Sequence, residues 1–502
     1  MAMMKAAVFV EPGRIVLQDK PIPNVGPLDA LIRITTTTIC GTDVHILKGE
    51  YPVERGLTIG HEPVGVIHQL GSAVKGYREG QRVVAGAITP SGWSNACLCG
   101  TCSQDGAGTA HGWKPMGGWK FGNTIDGCQA EYVVVPDAMA NLAAVPDDLS
   151  DEQVLMCPDI MSTGFGGAER GGIRIGDTVA VFAQGPIGLC ATAGAKLSGA
   201  TTIIGVDRLR HRLDIATRMG ADHVIDSSAV DPVEEIMRLT HGRGVDVAIE
   251  ALGQQATFEA CLRVLRPGGT LSSLGVYSAD LTIPLGAFAA GLGDHRIVTT
   301  LCPGGKERMR RLMSVIQAGR VDLSPMVTHR FKLDDIEKAY ELFAHQRDGV
   351  LKVAITPCPS LAQLLRPRRP LRRTRWRPTR SPRSWTCIPR RDSRAFGVGR
   401  GAEPPGRRAT RRGGRRHRRV RARDARAQSE DRARPAGRPP DRALTLAFTL
   451  LLQAMAVHWA PASQLFGTTG MAWSDWGVAT AVASSVLLLE EARKLGCRVF
   501  RA

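Results

Sequence analysis

A change in the pattern of apolar residues near residue 177 constrains the fold more than any other feature of the sequence. From there on, short apolar runs such as DTVAVFA, TTIIGVD and VDVAIEALG alternate with helix-like stretches such as GLCATAGAKLSG and RLDIATRMGA. Strands that alternate with helices in this way pair in parallel, because each helix returns the chain to the starting edge of the sheet. We therefore expect a doubly wound, parallel α/β domain here.

The first strand-to-helix turn of this region carries a glycine-rich fingerprint. Residues 183–188 read Ala-Gln-Gly-Pro-Ile-Gly, so that alanine takes the first of the three glycine positions. Gly185, Pro186, Ile187 and Gly188 would begin a helix whose free N–H groups can bind a pyrophosphate. The motif is weak by itself, but it follows a predicted strand and opens a predicted helix, which favours dinucleotide binding.

An acidic residue, Asp207, ends the next predicted strand, 19 positions after Gly188. At this spacing a carboxylate binds the diol of an adenosine ribose, and its charge would repel a 2′-phosphate. Arg208 follows directly and would soften that preference by stacking on adenine or by meeting a phosphate. The sequence therefore predicts a nicotinamide cofactor site in which NAD is favoured over NADP.

The chain before this region is patterned differently. Residues 1 to about 155 contain short strand-like runs, KAAVFV, ALIRITTTTI, GVIHQL, QRVVAGAI and AEYVVV, which are separated by turn residues. We expect a β-rich domain here.

Three short stretches supply candidate metal ligands. Cys40 lies in CGTDVH, and His61 lies in GHEPVG next to Glu62. Cysteine with histidine is a zinc-binding combination, and a catalytic zinc needs a third protein ligand. The stretch MCPD, which follows the β-rich region, offers both Cys157 and Asp159, and the residues alone leave that choice open. For an isolated His-Glu pair, a solvated loop is the alternative.

The 12 cysteines are better explained as thiols or metal ligands than as disulfides. The N-terminal sequence MAMMKAAVFVEPG lacks the apolar segment of a secretory signal. We therefore expect a reducing, cytoplasmic compartment.

Taken together, residues from about 4 to 357 resemble a zinc-dependent medium-chain alcohol dehydrogenase. The resemblance rests on CGTDVH, on GHEPVG followed by GSAVKGYREGQRV, on AQGPIG with Asp207, and on LRPGGT. Within that family the chain is most similar to the bacterial secondary-alcohol dehydrogenases, through ITPSGW, GWKFGN, CPDIMSTGFGGAE and LCPGGKERM.

The resemblance implies a fold and an activity. It implies a GroES-like catalytic domain over 1–160, an NAD-binding Rossmann domain over 161–300, and a return to the catalytic domain over 301–357. The activity would be hydride transfer between a small secondary or primary alcohol and NAD, giving a ketone or an aldehyde. Polyol or formaldehyde oxidation is a related alternative, and a homo-oligomer is the usual assembly.

The resemblance also assigns one catalytic zinc. Cys40 and His61 match its first two ligands. Asp159 matches the third ligand of the secondary-alcohol branch, in which aspartate replaces the cysteine of other branches, and Cys157 is its rival. Glu62 matches a residue beside the metal, either an outer partner or an exchangeable ligand.

Further positions follow from the same resemblance. Thr42 matches the hydroxyl that hydrogen-bonds the substrate oxygen, and His45 matches the next member of a proton relay to solvent. For the substrate pocket, Trp113, Ile88 and Met161 are candidate walls, and each would equally serve as ordinary core.

A second, structural zinc is not expected. Many family members hold it on a lobe with four cysteines, but here Cys97, Cys99 and Cys102 are spaced C-x-C-x-x-C, and Cys128 lies far beyond. Four ligands would require the recruitment of His111. We expect free thiols on a loop.

The segment 358–442 has a different composition from the rest. It contains 28 arginines, no lysine and six acidic residues, so its excess of positive charge is larger than the net charge of +18 of the whole chain. The remaining residues are therefore slightly acidic, which gives them no reason to bind nucleic acid. A disordered basic arm for nucleic acid or anionic lipid is one interpretation, but the exclusive use of arginine favours a disordered linker read out of frame from a GC-rich gene.

Residues 443–502 are apolar again. They contain the nearly uncharged run ALTLAFTLLLQAMAVHWAPAS, which is long enough to cross a bilayer. Through TLAFTLLLQ, SQLFG and LLLEEARKL they resemble the last transmembrane segments of a P-type cation-transporting ATPase. We expect an apolar helical hairpin left by a gene fusion. The rival hypothesis is a genuine anchor, with a membrane-tethered protein whose function depends on this tail.

Overall fold

The computed structural model describes residues 2–357. Within that range, no helix combines the length and the apolar character needed to cross a membrane. The linker predicted for 358–442 and the hairpin predicted for 443–502 lie outside the described residues.

Strands from both ends of the described range form the first part of the molecule. A two-stranded antiparallel sheet pairs β1 with β2, and a seven-stranded sheet has the order β14-β15-β3-β4-β5-β7, with β6 also paired to β3. The strands are β1 (Met3–Glu11), β2 (Arg14–Pro21), β3 (Ala30–Thr38), β4 (Val64–Leu70), β5 (Arg82–Ala85), β6 (Tyr132–Val135), β7 (Leu142–Ala144), β14 (Val327–Lys332) and β15 (Lys352–Thr356). The β-rich region is thus completed by strands that arrive after the parallel sheet.

A six-stranded parallel sheet forms the second part, in the order β10-β9-β8-β11-β12-β13. Its strands are β8 (Thr178–Phe182), β9 (Thr202–Asp207), β10 (His223–Asp226), β11 (Val245–Glu250), β12 (Leu265–Ser273) and β13 (Arg296–Thr299). In this order the chain moves outward from β8 in one direction and then from β11 in the other, which places a crevice between β8 and β11. This is the strand order of the Rossmann fold, and dinucleotides bind at such a crevice.

Helices connect the strands and cover the sheets. The helices of the β-rich part are α1 (Gly41–Leu47), α2 (Asn95–Leu98), α3 (Ala138–Asn141), α4 (Asp151–Val154), α10 (Lys306–Gln317) and α11 (Ile336–Ala344). Those of the parallel part are α5 (Ser162–Gly171), α6 (Pro186–Leu197), α7 (Arg210–Met219), α8 (Pro232–Leu239) and α9 (Gln255–Arg263).

One apolar core joins the two parts. It contains Val84 of β5, Phe165 of α5, Leu189 of α6 and Leu312 of α10, all of them buried. A π-helical turn, Cys157–Met161, lies inside this core and leads directly into α5. Because a π turn adds a residue to the normal helical repeat, it changes the direction in which the following side chains point.

The predicted combination of a GroES-like, β-rich part with a Rossmann-like, doubly wound part is confirmed. Each strand-like run named from the sequence falls on a strand, whereas several strands, β2, β7 and β13 to β15 among them, have no counterpart among those runs. The predicted boundaries after residues 160 and 300 stay a prediction.

Candidate active site

Four predicted residues from distant parts of the chain converge. The ligand atoms of Cys40, His61, Glu62 and Asp159 all lie within 4.8 Å of one another, and all four residues are buried. Asp159 Oδ2 lies 3.2 Å from Cys40 Sγ and 3.5 Å from His61 Nε2. The donors come from the start of α1, from the loop before β4 and from the π turn.

The geometry of this cluster fits zinc. Two ligands at about 2.0–2.3 Å from a tetrahedral zinc ion lie roughly 3.3–3.8 Å apart. The distance from Asp159 to His61 falls within this range, and the distance from Asp159 to Cys40 lies just below it. The donor set of thiol, imidazole and carboxylate is also one that zinc accepts. Since a buried group of acidic side chains needs compensating positive charge, a divalent cation suits the site electrostatically as well.

Asp43 holds the first two donors in place. Its Oδ2 atom accepts hydrogen bonds from the backbone N–H of Cys40 at 2.9 Å and from Gln129 Nε2 at 3.0 Å. Its Oδ1 atom lies 3.3 Å from His61 Nδ1. Tyr340 then donates to Gln129 Oε1 at 2.7 Å. Outer carboxylates of this kind orient a ligating histidine, and sequence reasoning missed the role of Asp43 although it lies inside the quoted CGTDVH.

The π turn decides between Asp159 and Cys157. The Asp159 carboxylate points to the donor cluster and accepts a hydrogen bond from Thr163 Oγ1 at 2.9 Å. Cys157 is fully buried in the apolar core, where its Sγ atom lies 3.9 Å from Met161 Sδ. Burial raises the pKa of the Cys157 thiol. The structure therefore brings Asp159, and not Cys157, to the other donors.

A buried lysine accompanies Glu62. Lys352 of β15 donates to Glu62 Oε1 at 2.6 Å and to the carbonyl oxygen of Ile39 at 3.0 Å. Glu62 Oε2 is buried and has no hydrogen-bond partner within residues 2–357. Burial raises the pKa of Glu62 to about 7, against the opposing effect of Lys352. Sequence reasoning missed Lys352, although a lone lysine in the apolar strand LKVAIT was a usable signal.

The pKa values of the other two donors, Cys40 and His61, depend on the carboxylates around them. Burial and the nearby Asp159 raise the pKa of the Cys40 thiol. Burial disfavours the charged form of His61, but Asp43 and Asp159 raise its pKa well above the usual value. A cation would take the place of these two protons, so metal binding should release protons and strengthen as the pH rises.

The predicted relay residues lie on α1, which begins next to the donors. Thr42 Oγ1 lies 3.7 Å from Cys40 Sγ. His45 is about one helical turn further along, and its side chain is 36% exposed. The helix thus leads from the donor cluster towards solvent, as a proton relay requires.

Aromatic side chains form an apolar wall beside His61. The ring of Trp119 lies edge-on to His61 at 6.1 Å and contacts Tyr51 at 4.9 Å between ring centroids. Ile88 is buried in the same apolar cluster. Of the other predicted walls, Met161 belongs to the main core, and Trp113 is 38% exposed. Among the described residues, the ring contact with His61 is made by Trp119, which was not among the predicted walls.

The cysteines of the lobe are arranged differently from the donors around Cys40. Within residues 2–357, the cluster around Cys40 is the one group of three or more converging metal-ligating side chains. Cys97, Cys99 and Cys102 do not form such a group, and Cys128 is buried with its Sγ atom 3.2 Å from Thr37 Oγ1.

The glycine-rich turn connects β8 to α6. Ala183 adopts a left-handed conformation, with φ of 70°, where the fingerprint normally has glycine. A Cβ atom on Gly188 would lie 1.8 Å from the carbonyl oxygen of Ala183, so only glycine allows this approach. At Gly185 the nearest atom to such a Cβ would be Arg212 Nη1 at 3.8 Å, which leaves open space before the helix. α6 starts at Pro186, so its free N–H groups face the space that an anion needs.

Asp207 lies at the end of β9, beside this turn. Its carboxylate accepts backbone hydrogen bonds from Gln184 at 2.6 Å, Arg208 at 2.7 Å and Leu209 at 2.9 Å. Arg212 Nη1 lies 3.7 Å from Asp207 Oδ2. The backbone bonds hold the carboxylate at the crevice, while the Arg208 side chain is exposed.

Comparisons with known proteins agree with both parts of the fold. Residues 26–147 match the alcohol dehydrogenase GroES-like domain, and residues 186–318 match the zinc-binding dehydrogenase domain. Residues 430–496 match the C-terminus of cation-transporting ATPases, and this one match is the support for the predicted resemblance of the tail.

Relatives cover the described part of the chain almost completely. An alcohol dehydrogenase of Cupriavidus necator is 72% identical over 363 residues, which are 71% of this chain and 99% of that protein. An NADP-dependent isopropanol dehydrogenase of Entamoeba histolytica is 37% identical, over 70% of this chain and 95% of that protein. The solved structure of alcohol dehydrogenase TADH from Thermus sp. ATN1 is 32% identical, with a TM-score of 0.63, over 71% of this chain and all of that one. The chain therefore belongs to the zinc-dependent medium-chain alcohol dehydrogenases and, like them, is an enzyme that uses zinc and a nicotinamide cofactor to act on an alcohol.

Proposed function

We propose that this enzyme interconverts small secondary alcohols and ketones with NAD as its preferred cofactor. The observation that carries the proposal is the buried convergence of Cys40, His61 and Asp159, with Glu62 beside them. An aspartate as third ligand is the arrangement that the sequence resemblance assigns to the secondary-alcohol branch. The isopropanol dehydrogenase among the relatives supports the same substrate class.

The site residues fall into two groups, one that would bind the metal ion and one that would transfer the proton. Cys40, His61 and Asp159 would hold one zinc ion, and Glu62 would adjust the charge next to it. When bound, zinc supplies Lewis-acid polarisation of an oxygen atom, and NAD supplies the hydride acceptor. Thr42 Oγ1 would accept a hydrogen bond from the substrate hydroxyl, take its proton and pass its own proton on.

His45 continues that path. It would accept the proton from Thr42 and release it towards solvent, since its side chain is partly exposed. The path would thus run from the buried donor cluster through Thr42 to the partly exposed His45, which gives the proton one route to solvent.

The size of the substrate should be limited by the aromatic wall. Trp119 and Tyr51 pack on one side of His61 and fill space with rigid rings. A short aliphatic alcohol needs little room there, whereas a long-chain or aromatic alcohol would displace the rings. We therefore infer a preference for substrates such as 2-propanol.

The cofactor preference is argued from Asp207. Its carboxylate is 8% exposed and is held at the crevice by three backbone N–H groups. A 2′-phosphate would bring a second negative charge against it, which costs a few kcal/mol at about 4 Å near a protein surface. We infer that NAD is used at least about tenfold more efficiently than NADP, unlike the relative named as NADP-dependent.

One experiment tests the proposal on the full-length protein. Zinc content is measured together with the rate of NAD and NADP reduction by 2-propanol, ethanol, a polyol and formaldehyde. We expect about one zinc per chain and the highest kcat/KM with 2-propanol and NAD. A higher kcat/KM with the polyol or with formaldehyde would contradict the substrate class, and a preference for NADP would contradict the role of Asp207.

A further inference from the structure

An acidic residue lies against the outer end of the relay. Oε2 of Glu50 is 2.5 Å from Nδ1 of His45. The backbone N–H of Glu50 also donates to the carbonyl oxygen of His45 at 2.9 Å, and the N–H of Tyr51 lies 3.3 Å from the same oxygen. Glu50 lies in the turn that follows α1, and both its backbone and its side chain hold it against His45.

We propose that Glu50 is a positioning residue of the proton relay, which fixes the tautomer of His45 and balances the charge that His45 gains. The proposal rests on the proposed function of Thr42 and His45. Among the described residues, the Glu50 side chain forms its hydrogen bond with the imidazole of His45, so it would act through His45.

The tautomer follows from the chemistry of the two groups. An ionised carboxylate only accepts hydrogen bonds, so Nδ1 of His45 must carry the proton that points at Glu50. The other ring nitrogen, Nε2, then keeps a lone pair. Among the described residues, Nε2 makes no hydrogen bond, and it is therefore available to accept a proton from Thr42.

The charge balance follows from the same contact. When Thr42 takes the proton of the alcohol and gives its own to Nε2, His45 becomes an imidazolium with N–H groups on both nitrogens. Glu50 stays ionised and forms a charge-assisted hydrogen bond with it, which is stronger than the bond to neutral imidazole. The imidazolium then releases one proton to bulk water. Both side chains are partly exposed, 36% for His45 and 38% for Glu50, so water can reach them.

Two substitutions separate the two roles. Glu50→Gln keeps an oxygen that can accept from Nδ1 but removes the charge, whereas Glu50→Ala removes both. Glu54→Gln is the matched control, because Glu54 is an exposed glutamate of the same loop. We expect Glu50→Ala to lower kcat for 2-propanol oxidation by about tenfold, Glu50→Gln to lower it by less, and Glu54→Gln to leave it unchanged. KM and zinc content should change little in all three.

A double-substitution cycle distinguishes a relay role from a structural one. If Glu50 acts through His45, adding Glu50→Ala to His45→Gln should cause no further loss of kcat. The same tenfold loss in both backgrounds would overturn the proposal, and so would a Glu50→Ala variant as fast as Glu54→Gln.

A readout without catalysis completes the test. Nitrogen-15 NMR of the full-length protein reports which ring nitrogen of His45 carries the proton. We expect the Nδ1–H tautomer in the wild type and in Glu50→Gln, and a mixture with Nε2–H in Glu50→Ala. An unchanged tautomer in Glu50→Ala would overturn the proposal. Because this readout does not need alcohol turnover, it decides the role of Glu50 separately from the proposed function.

Discussion

At the scale of single residues, two neighbouring side chains of the π turn point in different directions. Asp159 faces the donor cluster, and Cys157, two positions earlier, faces the apolar core. Both are chemically able to bind zinc, so their chemistry does not choose between them. The direction of the backbone in the π turn determines which of the two side chains reaches the donor cluster.

Substituting each of the two tests this assignment. Asp159→Ala should lower the zinc content from about one per chain to nearly none and abolish turnover, because it leaves two ligands where three are needed. Cys157→Ala should keep both zinc and turnover and cost only about 1 kcal/mol in the free energy of unfolding for a small cavity. Elemental analysis of the purified variants measures the metal. Loss of zinc from Cys157→Ala would reverse the assignment.

A carboxylate far from the site controls stability at low pH. Asp246 accepts hydrogen bonds from the backbone N–H of Thr178 at 2.9 Å, from Arg243 Nη2 at 2.7 Å and from Arg266 Nε at 2.6 Å. Burial opposes its ionisation, but these donors outweigh burial and lower the pKa of Asp246 below 3.8. A lowered pKa stabilises the folded state above the unfolded value, and this contribution disappears as the pH falls through the folded value.

Asp246→Asn should therefore reduce the free energy of unfolding by about 2 kcal/mol at pH 7, because charge-assisted bonds are lost. The difference from the wild type should stay constant down to about pH 5 and shrink below about pH 4. Urea unfolding at several pH values measures it, with Asp280→Asn, at an exposed position, as the control. A difference that persists undiminished at the lowest pH would contradict the electrostatic explanation.

At the scale of elements, the turn between β8 and α6 contains two residues whose backbone and side-chain requirements are opposite. Gly188 has no space for a side chain, because the carbonyl oxygen of Ala183 occupies it. Ala183 has a side chain but adopts a backbone conformation that favours glycine. The turn therefore keeps its shape through Gly188 and carries strain at Ala183, since a left-handed non-glycine residue costs roughly 1–2 kcal/mol.

Ala183→Gly should relieve that strain and raise the free energy of unfolding by about 1 kcal/mol, after the greater entropy of glycine in the unfolded chain is subtracted. Gly188→Ala is the contrasting variant, and it should destabilise the protein by several kcal/mol and weaken NAD binding. Urea unfolding and NAD titration measure both effects. An Ala183→Gly variant less stable than the wild type would show that the conformation is not strained.

At the scale of the whole molecule, the catalytic unit lies within residues 2–357. Both sheets, the donor cluster and the glycine-rich turn lie in this range. The relative from Cupriavidus necator is matched over 99% of its own length by 363 residues of this chain. The origin of the tail by gene fusion, homo-oligomerisation and a cytoplasmic location stay predictions.

Removing residues 358–502 should accordingly leave kcat, KM and zinc content within about twofold of the full chain, because no described ligand or core residue is lost. Steady-state kinetics on the two forms makes the comparison, and light scattering reports their oligomeric state. A truncated protein that folds and binds zinc but has lost turnover would favour the rival hypothesis of a function that depends on the tail.

The sequence by itself determined the class of the fold, the dinucleotide turn and the candidates for the donor set. These depend on local properties: the alternation of apolar strands and helices, the glycines of one turn, and residue types that zinc accepts. Cys40, His61 and Glu62 were identified in this way, as was the parallel sheet.

Only the tertiary structure decided the features that depend on distant pieces of chain. The resemblance had favoured Asp159 over Cys157, but the direction in which each side chain points is set by the π turn. The pairing of Lys352 with Glu62 joins residues 290 positions apart. The contact of Trp119 with His61, where the sequence had suggested Trp113, likewise depends on how a loop folds back. The pattern of apolar residues along one segment indicates which face of a helix or strand is buried. It does not indicate which other element packs against that face, because that contact depends on the packing of distant segments.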